Sequence, residues 1–201
     1  MLVKICGIID AETALATAEA GADLIGLVFA KSKRQVTVEQ AKTIRAMLAD
    51  SVKVVGVFKD EEMSNVNWIA KQVGLDYVQL HGATTLKDCQ LSQRPVIKVI
   101  AVREQADLEQ VNAFLAVADY ILLDGAVAGS GTSFNWHLLN QLTHERQRII
   151  LAGGLSVANV QAAINQVAPV GVDVSSGVET NGSKDIEKIV QFIKKVQEGM
   201  V

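Results

Sequence analysis

One cysteine stands where a thiol could do chemistry, in the segment KICG at residues 4–7. Cys6 is one of two cysteines in 201 residues, and it ends a short apolar run that also contains Lys4. A cysteine in this place can be a small core residue, half of a disulfide, a metal ligand or a general base. A base would have to be the thiolate, which a nearby cation such as Lys4 favours by lowering the pKa of the thiol. The residues alone leave the structural and the catalytic interpretations open.

A carboxyl group offers the matching acid. Asp124 ends another apolar run, DYILLD at 119–124. A thiol and a carboxyl that face each other across a pocket form an acid–base pair for proton transfer. Whether Cys6 and Asp124 can meet in this way depends on the elements that carry them.

Those elements alternate along the chain. Short runs rich in Val, Ile and Leu are separated by longer segments with apolar residues at helical spacing. The predicted strands are 2–6, 23–29, 53–58, 76–81, 95–100, 119–124, 148–153 and 170–175. The predicted helices are 11–21, 38–50, 61–74, 104–118, 156–168 and 184–200, with a weaker one within 83–93.

This alternation predicts a parallel sheet with right-handed crossovers. Eight strand–helix units in 201 residues favour a single-domain α/β fold spanning 1–201, a closed (β/α)8 TIM barrel near the short end of the usual length range. An open doubly wound sheet is the alternative. That fold would favour a GxGxxG turn after the first strand, where the chain reads CGIIDAE instead.

Period-two alternation then sorts the strand faces. The face that carries Cys6 and the face that carries Asp124 are the mixed ones, so both side chains point into the barrel at its mouth, where this fold places its active sites. Four polar residues are predicted to lie inside the barrel: Lys4, Gln79, Lys98 and Asp173. Buried charges need partners, so we expect a Lys–Asp network there, with either a structural or a catalytic role.

Glycine-rich loops follow three of the predicted strands, and an arginine follows a fourth; some of these could bind an anion. The glycine-rich segments AGGLS at 152–156 and SSGVETNG at 175–182 follow the last two strands, where barrels of this kind often bind phosphate through backbone N–H groups. DGAVAGSGTSF at 124–134 is a third glycine-rich loop. Arg34, after the second strand, is a candidate for gripping a carboxylate with two hydrogen bonds, or is a solvated loop residue.

The composition excludes several classes of function. With 49% hydrophobic and 20% charged residues, the chain can bury a core, and a net charge of −3 without a basic cluster argues against binding to nucleic acid. No apolar run approaches the about 18 residues of a membrane helix, and the first ten residues are unlike a signal peptide, so we expect no membrane contact. Three scattered histidines and no CxxC make a metal site improbable. So few cysteines indicate a reducing, cytoplasmic location.

A series of motifs resembles the phosphoribosylanthranilate isomerase family of tryptophan biosynthesis. They are KICGI, GLVFAKSKR, VGVF, VQLHG, GSGTSFNW, LAGGL, GVDVSSGVE and GSKD, in order from residue 3 to about 188. The resemblance implies a (β/α)8 barrel that converts N-(5-phosphoribosyl)anthranilate to 1-(2-carboxyphenylamino)-1-deoxyribulose 5-phosphate. It also implies a phosphorylated small molecule as substrate and no metal or organic cofactor.

The resemblance assigns roles residue by residue. It places the general base on Cys6, the general acid on Asp124 and the arginine that binds the anthranilate carboxylate on Arg34. His81 belongs to the QLHG motif, and the resemblance places it among the substrate-binding residues without assigning it a chemical role. The phosphate-binding backbone falls on Gly153, Gly154, Ser176 and Gly177.

Two positions depart from the family pattern. Lys33 stands where the family usually has proline, and Asn135 where an aspartate is common.

Two other functions stay open. One alternative is a related barrel isomerase of the histidine pathway, although that family generally has aspartate at the position of Cys6. The other is a non-catalytic phosphate-binding barrel, which should lack the acid–base pair. The sequence leaves monomer and homodimer open.

Overall fold

The first feature of the fold is a closed, all-parallel barrel. A computed structural model of the protein describes residues 1–125 and 135–198. Each barrel strand is a run of three to seven residues that contains Val or Ile, and hydrogen bonds join the strands in chain order, with the eighth returning to the first. The strands are β1 (Leu2–Cys6), β2 (Leu24–Val28), β3 (Lys53–Lys59), β4 (Tyr77–His81), β5 (Val96–Val102), β6 (Tyr120–Gly125), β7 (Ile149–Leu151) and β8 (Gly171–Val174). The predicted TIM barrel is confirmed, and the open sheet is excluded.

Helices cover the outside of the barrel. They are α1 (Ala11–Glu19), α2 (Val38–Met47), α3 (Met63–Val73), α4 (Leu86–Leu91), α5 (Val111–Leu115), α6 (Val160–Val167) and α7 (Ile186–Glu198). A short antiparallel hairpin, β9 (Glu179–Thr180) and β10 (Ser183–Lys184), stands between β8 and α7. Among the described residues, no helix has the length and apolar character needed to cross a bilayer.

One predicted helix differs from the structure, and the connection between β6 and β7, for which no helix is predicted, contains only short turns of helix in its described part. The segment predicted as one helix over 104–118 is a 3₁₀ turn, Gln105–Leu108, followed by the five-residue α5. The Asp107 carboxylate accepts hydrogen bonds from the backbone N–H groups of Arg103 and Glu104, which tightens this turn. Between β6 and β7 the described residues form only 3₁₀ helices, Trp136–Gln141 and His144–Arg148, and residues 126–134 of the third glycine-rich loop lie outside the described part.

The weakly predicted helix within 83–93 exists as α4. Thr85 begins it with a capping box, in which the Thr85 hydroxyl and the Asp88 carboxylate accept each other's backbone N–H groups. Cys89 lies on its buried side, in the layer between helices and barrel. Both cysteines are free thiols, so the disulfide interpretation of Cys6 does not hold.

The barrel interior has its own small apolar cluster, separate from the larger layer under the helices. The interior cluster contains Leu24, Val55, Ile97, Val99, Leu122, Ile150 and Ala152. Above it stand the predicted polar residues Lys4, Gln79 and Asp173. The Lys4 Nζ atom lies 2.7 Å from Asp173 Oδ1, so the expected Lys–Asp network is confirmed.

The interior placement of Lys98 is wrong. Its neighbours Ile97 and Val99 point into the barrel, so Lys98 points outward, toward the helices. It is buried there, with Nζ 3.1 Å from the Gly82 carbonyl oxygen and 5.3 Å from the centre of the Phe114 ring on α5. The error arises because the run PVIKVI offers lysine as its one polar residue, and a long aliphatic stem can be buried on either face.

Candidate active site

The candidate site lies at the carboxyl ends of the barrel strands. A cavity of about 210 Å³ opens there, and Cys6, Arg34, His81 and Asp124 all line it. A smaller cavity of about 40 Å³ adjoins it, bordered by the loops after β7 and β8. Asp124 borders both cavities, so the predicted acid stands between the two.

Cys6 is set over the buried ion pair. Its residue is 8% exposed at the end of β1, and the neighbouring strand has Gly26 beside it. A Cβ atom added to Gly26 would lie 2.8 Å from Cys6 Sγ and 3.1 Å from Lys4 Nζ, so the glycine leaves the space in which these two groups meet. Burial and the Asp173 carboxylate raise the pKa of the Cys6 thiol, while Lys4 and Lys184 oppose the rise.

Lys4 keeps its charge despite complete burial. Burial alone would lower the pKa of Lys4, but the Asp173 carboxylate and the Cys6 thiol outweigh it and the pKa is raised. The ammonium group therefore stays positive beneath the thiol. A fixed positive charge at this place stabilises a Cys6 thiolate when one forms.

Asp124 has the properties of a carboxylic acid that can hold its proton. Burial, with the Asp173 charge as a second cause, raises the pKa of Asp124 to about 6, against a hydrogen bond from Gly125 and the charge of Lys4. A carboxyl group with such a pKa can donate a proton near neutral pH. The structure thus brings together, around one cavity, the two residues that the sequence proposed as base and acid.

His81 is uncharged. Burial and the nearby charges of Lys4, Lys98 and Lys59 lower its pKa to about 4. Its Nε2 atom lies 2.7 Å from the side-chain nitrogen of Gln79, so a neutral ring that accepts this hydrogen bond carries its proton on Nδ1. Neutral His81 can line the cavity as a hydrogen-bonding group without adding charge.

Arg34 crosses the end of β1 to reach the cavity. A Cβ atom on Gly7, where φ is +83°, would lie 2.4 Å from Arg34 Cδ, so the arginine stem passes directly over this glycine. A side chain at Gly7 would therefore collide with the Arg34 stem, which together with the positive φ explains the glycine in KICG. Beyond it, the guanidinium meets Glu179, with Nε 2.6 Å from Oε1 and Nη2 2.9 Å from Oε2.

The predicted phosphate residues meet at the smaller cavity. Gly153, Gly154 and Ser176 border it. Gly177 stands beside them with its backbone against the loop after β7, since a Cβ atom there would lie 1.9 Å from the Leu155 carbonyl oxygen. Only glycine lets the two loops approach so closely. The structure thus brings all four residues together, as the sequence predicted.

The departures from the family pattern have local partners. Lys33 is exposed and its Nζ lies 3.4 Å from Glu179 Oε2. Asn135 caps the following 3₁₀ helix, because its Oδ1 accepts a hydrogen bond from the His137 N–H at 3.1 Å, a role that aspartate fills equally well.

Sequence reasoning missed two charged residues of the site and the place of a third within it. Asp173 was predicted as an interior residue but not as a neighbour of Cys6 and Asp124, and Glu179 and Lys184 were not singled out individually. The segment ETNGSK carried a signal for the last two, because Asn-Gly is a preferred pair for a two-residue hairpin turn, although its flanks here are polar and not the alternating apolar residues of the strongest signal. Among the described residues, no His, Cys, Asp or Glu cluster is arranged to hold a metal ion.

Fold and site together define a class. A closed (β/α)8 barrel whose mouth holds a thiol, a carboxyl group of raised pKa and glycine-rich loops is typical of acid–base enzymes that act on small phosphorylated molecules. The chain matches the family model described as N-(5'phosphoribosyl)anthranilate (PRA) isomerase over residues 3–195. It belongs to that family.

Individual relatives agree with this assignment. N-(5'-phosphoribosyl)anthranilate isomerase of Bacillus cereus (strain G9842) is 45% identical over 203 residues, covering 98% of both chains. The crystal structure of phosphoribosyl anthranilate isomerase from Thermotoga maritima superposes with a TM-score of 0.90 at 40% identity, covering 98% of this chain and 100% of that one. Another isomerase structure, in complex with reduced 1-(o-carboxyphenylamino)-1-deoxyribulose 5-phosphate, has a TM-score of 0.88 at 39% identity, with the same coverage.

Proposed function

We propose that this protein is the phosphoribosylanthranilate isomerase of tryptophan biosynthesis, an Amadori-type aldose–ketose isomerase. The observation that carries the proposal is the meeting of Cys6 and Asp124 at one cavity, between an arginine and the glycine-rich loops, in a chain of this family. Residues 1–201 form one catalytic domain that works in the cytoplasm. The relative bound to the reduced product analogue supports a substrate with a phosphate at one end and a carboxylate at the other.

The two anionic ends of the substrate occupy the two cavities. The phosphate binds to backbone N–H groups of Gly153, Gly154, Ser176 and Gly177, in the loops after β7 and β8 at the smaller cavity. The carboxylate of the anthranilate ring binds Arg34 at the rim of the larger cavity. The ribose then lies between these ends, beside Asp124 and Cys6.

Asp124 performs the first proton transfer. Its carboxyl proton passes to the ribose ring oxygen as the bond between that oxygen and C1 breaks, and the nitrogen lone pair forms the C1=N bond of a protonated Schiff base. The Asp124 carboxylate that remains is stabilised by the N–H of Gly125. General acid catalysis suits this step because the departing oxygen would otherwise leave as an alkoxide.

Cys6 performs the second proton transfer. Its thiolate takes the proton from C2, the C2–H electrons form a C1=C2 bond, and the C1=N electrons return to nitrogen. The resulting enol-amine rearranges to the keto product, with one proton moving from the C2 hydroxyl to C1. Lys4 holds a positive charge below the thiolate during this step, which lowers the cost of forming it.

An assay separates this function from its alternatives. The purified protein is given N-(5-phosphoribosyl)anthranilate and, separately, the aminoimidazole substrate of the histidine pathway, and complementation of a tryptophan auxotroph lacking this step is scored. Turnover of the first substrate alone is expected. Turnover of only the second, or binding of phosphate without turnover of either, would replace the proposal with one of the two other functions.

Replacing Arg34 with alanine is expected to weaken binding of the carboxylate end only. A charge-assisted hydrogen bond contributes about 1.5–3 kcal/mol, which corresponds to an about ten- to hundredfold rise in KM. The value of kcat changes little if the contact is equally strong in the ground and transition states. Calorimetry with inorganic phosphate is the control, because phosphate has no carboxylate. Equal loss of phosphate and product binding would assign Arg34 to the other end.

Replacing Gly177 with alanine tests the phosphate end. The added methyl group meets the Leu155 carbonyl oxygen at 1.9 Å, so the backbone of one loop must move and displace its N–H donors. Loss of one hydrogen bond to a charged ligand lowers phosphate affinity by about ten- to hundredfold. Gly74→Ala, at the end of α3, is the control: its φ of +75° makes the substitution costly in stability, but nothing lies within 4 Å of the added Cβ atom, and phosphate affinity should stay unchanged. Unchanged phosphate affinity in Gly177→Ala would contradict the placement.

A further inference from the structure

The hairpin after β8 brings two buried charges to the mouth of the barrel. Its turn is Asn181–Gly182, both with positive φ, of +52° and +83°, as a two-residue hairpin of this type requires. The strands on either side contribute Glu179 and Lys184, whose side chains are only 5% and 4% exposed. Buried charges are costly unless they are paired, so the contacts of this pair indicate what the hairpin is for.

Glu179 is held from three sides. The Arg34 guanidinium binds both of its oxygens in a two-bond fork at 2.6 and 2.9 Å, Lys184 Nζ lies 2.9 Å from Oε1, and Lys33 Nζ lies 3.4 Å from Oε2. These bonds outweigh the effect of burial and hold the pKa of Glu179 at about 2. The carboxylate is therefore charged and fixed in place at every pH at which the enzyme would work.

Lys184 fixes this carboxylate to the catalytic strands. Its Nζ also donates to the Ser175 carbonyl oxygen at 2.9 Å and to the Ser175 hydroxyl oxygen at 3.3 Å. The Ser175 hydroxyl in turn donates to the Cys6 carbonyl oxygen at 3.0 Å. Glu179 thus stands at a set distance from the end of β1, where Cys6 acts.

Arg34 has less support of its own. It belongs to a loop in which Lys31, Ser32 and Lys33 are exposed, and its stem lies across a glycine that offers no side chain to hold it. Two of its five N–H donors are directed to Glu179, through Nε and Nη2. Within residues 1–125 and 135–198, the other three have no hydrogen-bond partner, and they remain for a ligand in the cavity that Arg34 lines.

We propose that Glu179 is a positioning residue for carboxylate recognition: it fixes the Arg34 guanidinium in the orientation that presents its free N–H groups to the substrate carboxylate. The inference rests on the proposed function for the identity of that substrate. Glu179 does not compete for the same position, because it binds through Nε and Nη2 and is itself retained by Lys184. Binding of the substrate therefore does not require the internal ion pair to break.

The test compares two probes on one variant. Glu179→Gln keeps the shape of the side chain and removes its charge, so Arg34 loses its fixed orientation. We expect affinity for the reduced product analogue, and KM in the same sense, to weaken by about tenfold, with kcat within about twofold. Affinity for inorganic phosphate stays that of the wild type. Glu198→Gln, the same substitution at the far end of α7, is the control and changes neither affinity.

A double variant and a conservative variant complete the test. In Arg34→Ala the effect of Glu179→Gln on analogue binding disappears, because there is no guanidinium left to orient. Glu179→Asp keeps the charge and restores part of the lost affinity; if Glu179→Gln does not fold, the same two probes are measured on Glu179→Asp, whose shorter side chain cannot make the full fork.

Three results would overturn the inference: wild-type analogue affinity in Glu179→Gln, equal loss of analogue and phosphate binding, or full additivity with Arg34→Ala. Each is measured as equilibrium binding, so it does not depend on turnover. An inactive wild-type protein that still shows the expected pattern of affinities would refute the proposed function and leave the role of Glu179 standing.

Discussion

Asp124→Asn is expected to lower kcat by about 10²–10⁴-fold, because the amide cannot donate the proton that ring opening requires. Asparagine has nearly the same shape as aspartate, so the fold and the phosphate affinity should be retained. Steady-state kinetics with N-(5-phosphoribosyl)anthranilate measures the loss, and phosphate calorimetry checks that the site is intact. Turnover near the wild-type rate would remove Asp124 from the role of acid.

The pH profile gives a second readout of Asp124. Burial raises its pKa to about 6 and also raises the pKa of Cys6, so between the two values the pair holds one proton. The reacting form, with protonated Asp124 and Cys6 thiolate, holds one proton as well, so kcat/KM is level in this interval. It falls below about pH 6, where a second proton binds. The residual activity of Asp124→Asn has no break there, because it depends on the Cys6 thiolate alone and falls steadily with decreasing pH throughout this interval. A level interval with a break near pH 6 that is retained in Asp124→Asn would belong to another group.

Cys6→Ser is expected to cause a loss of the same size, about 10²–10⁴-fold in kcat. The hydroxyl group is slightly smaller than the thiol, so it fits beside Gly26, but it is a far weaker acid and supplies no base at neutral pH. Cys89→Ser is the matched control, since Cys89 lies in the outer layer on α4, and its activity should stay within a few-fold of wild type. Near wild-type turnover in Cys6→Ser would show that Cys6 is not the general base.

Deuterium at C2 of the substrate distinguishes the two variants. In Cys6→Ser the breaking of the C2–H bond becomes the slow step, so kcat shows a large primary isotope effect. In Asp124→Asn ring opening is slow instead, and the isotope effect is small. The reverse pattern would exchange the roles of the two residues.

The sequence predicted most of the framework because the framework depends on local patterns. Alternation in β1 and β6 placed Cys6 and Asp124 on the inner face, and the glycines after the last two strands lie together as expected. Lys98 shows the limit of this reasoning. A strand in a barrel is buried on both faces, so one lysine in an apolar run does not reveal which face it occupies; only the packing of Ile97 and Val99 against other strands decides it.

Partners distant in sequence were harder to predict. The charges that act on Cys6 include that of Asp173, and the partner of Arg34 is Glu179, in each case more than a hundred residues away. Local propensity carries no information about such pairs. Closure of the barrel decides them, through the register of β8 against β1, which sets Lys4 opposite Asp173.

The seam between β1 and β8 therefore has a consequence for how the protein becomes active. Three contacts cross it and reach the site: Lys4 to Asp173, Ser175 to the Cys6 carbonyl, and Arg34 to Glu179, with sequence separations of 169, 169 and 145 residues. Such contacts form only after the two ends of the chain have met, and contacts between residues so far apart in sequence slow folding. A half-folded barrel can already contain Cys6 and Arg34. Without the last strand and its hairpin it lacks Asp173, which keeps Lys4 charged beneath the thiol, and Glu179, which binds the Arg34 guanidinium. We therefore expect activity only after β8 has paired with β1 and closed the barrel, so the appearance of activity during refolding reports this closure.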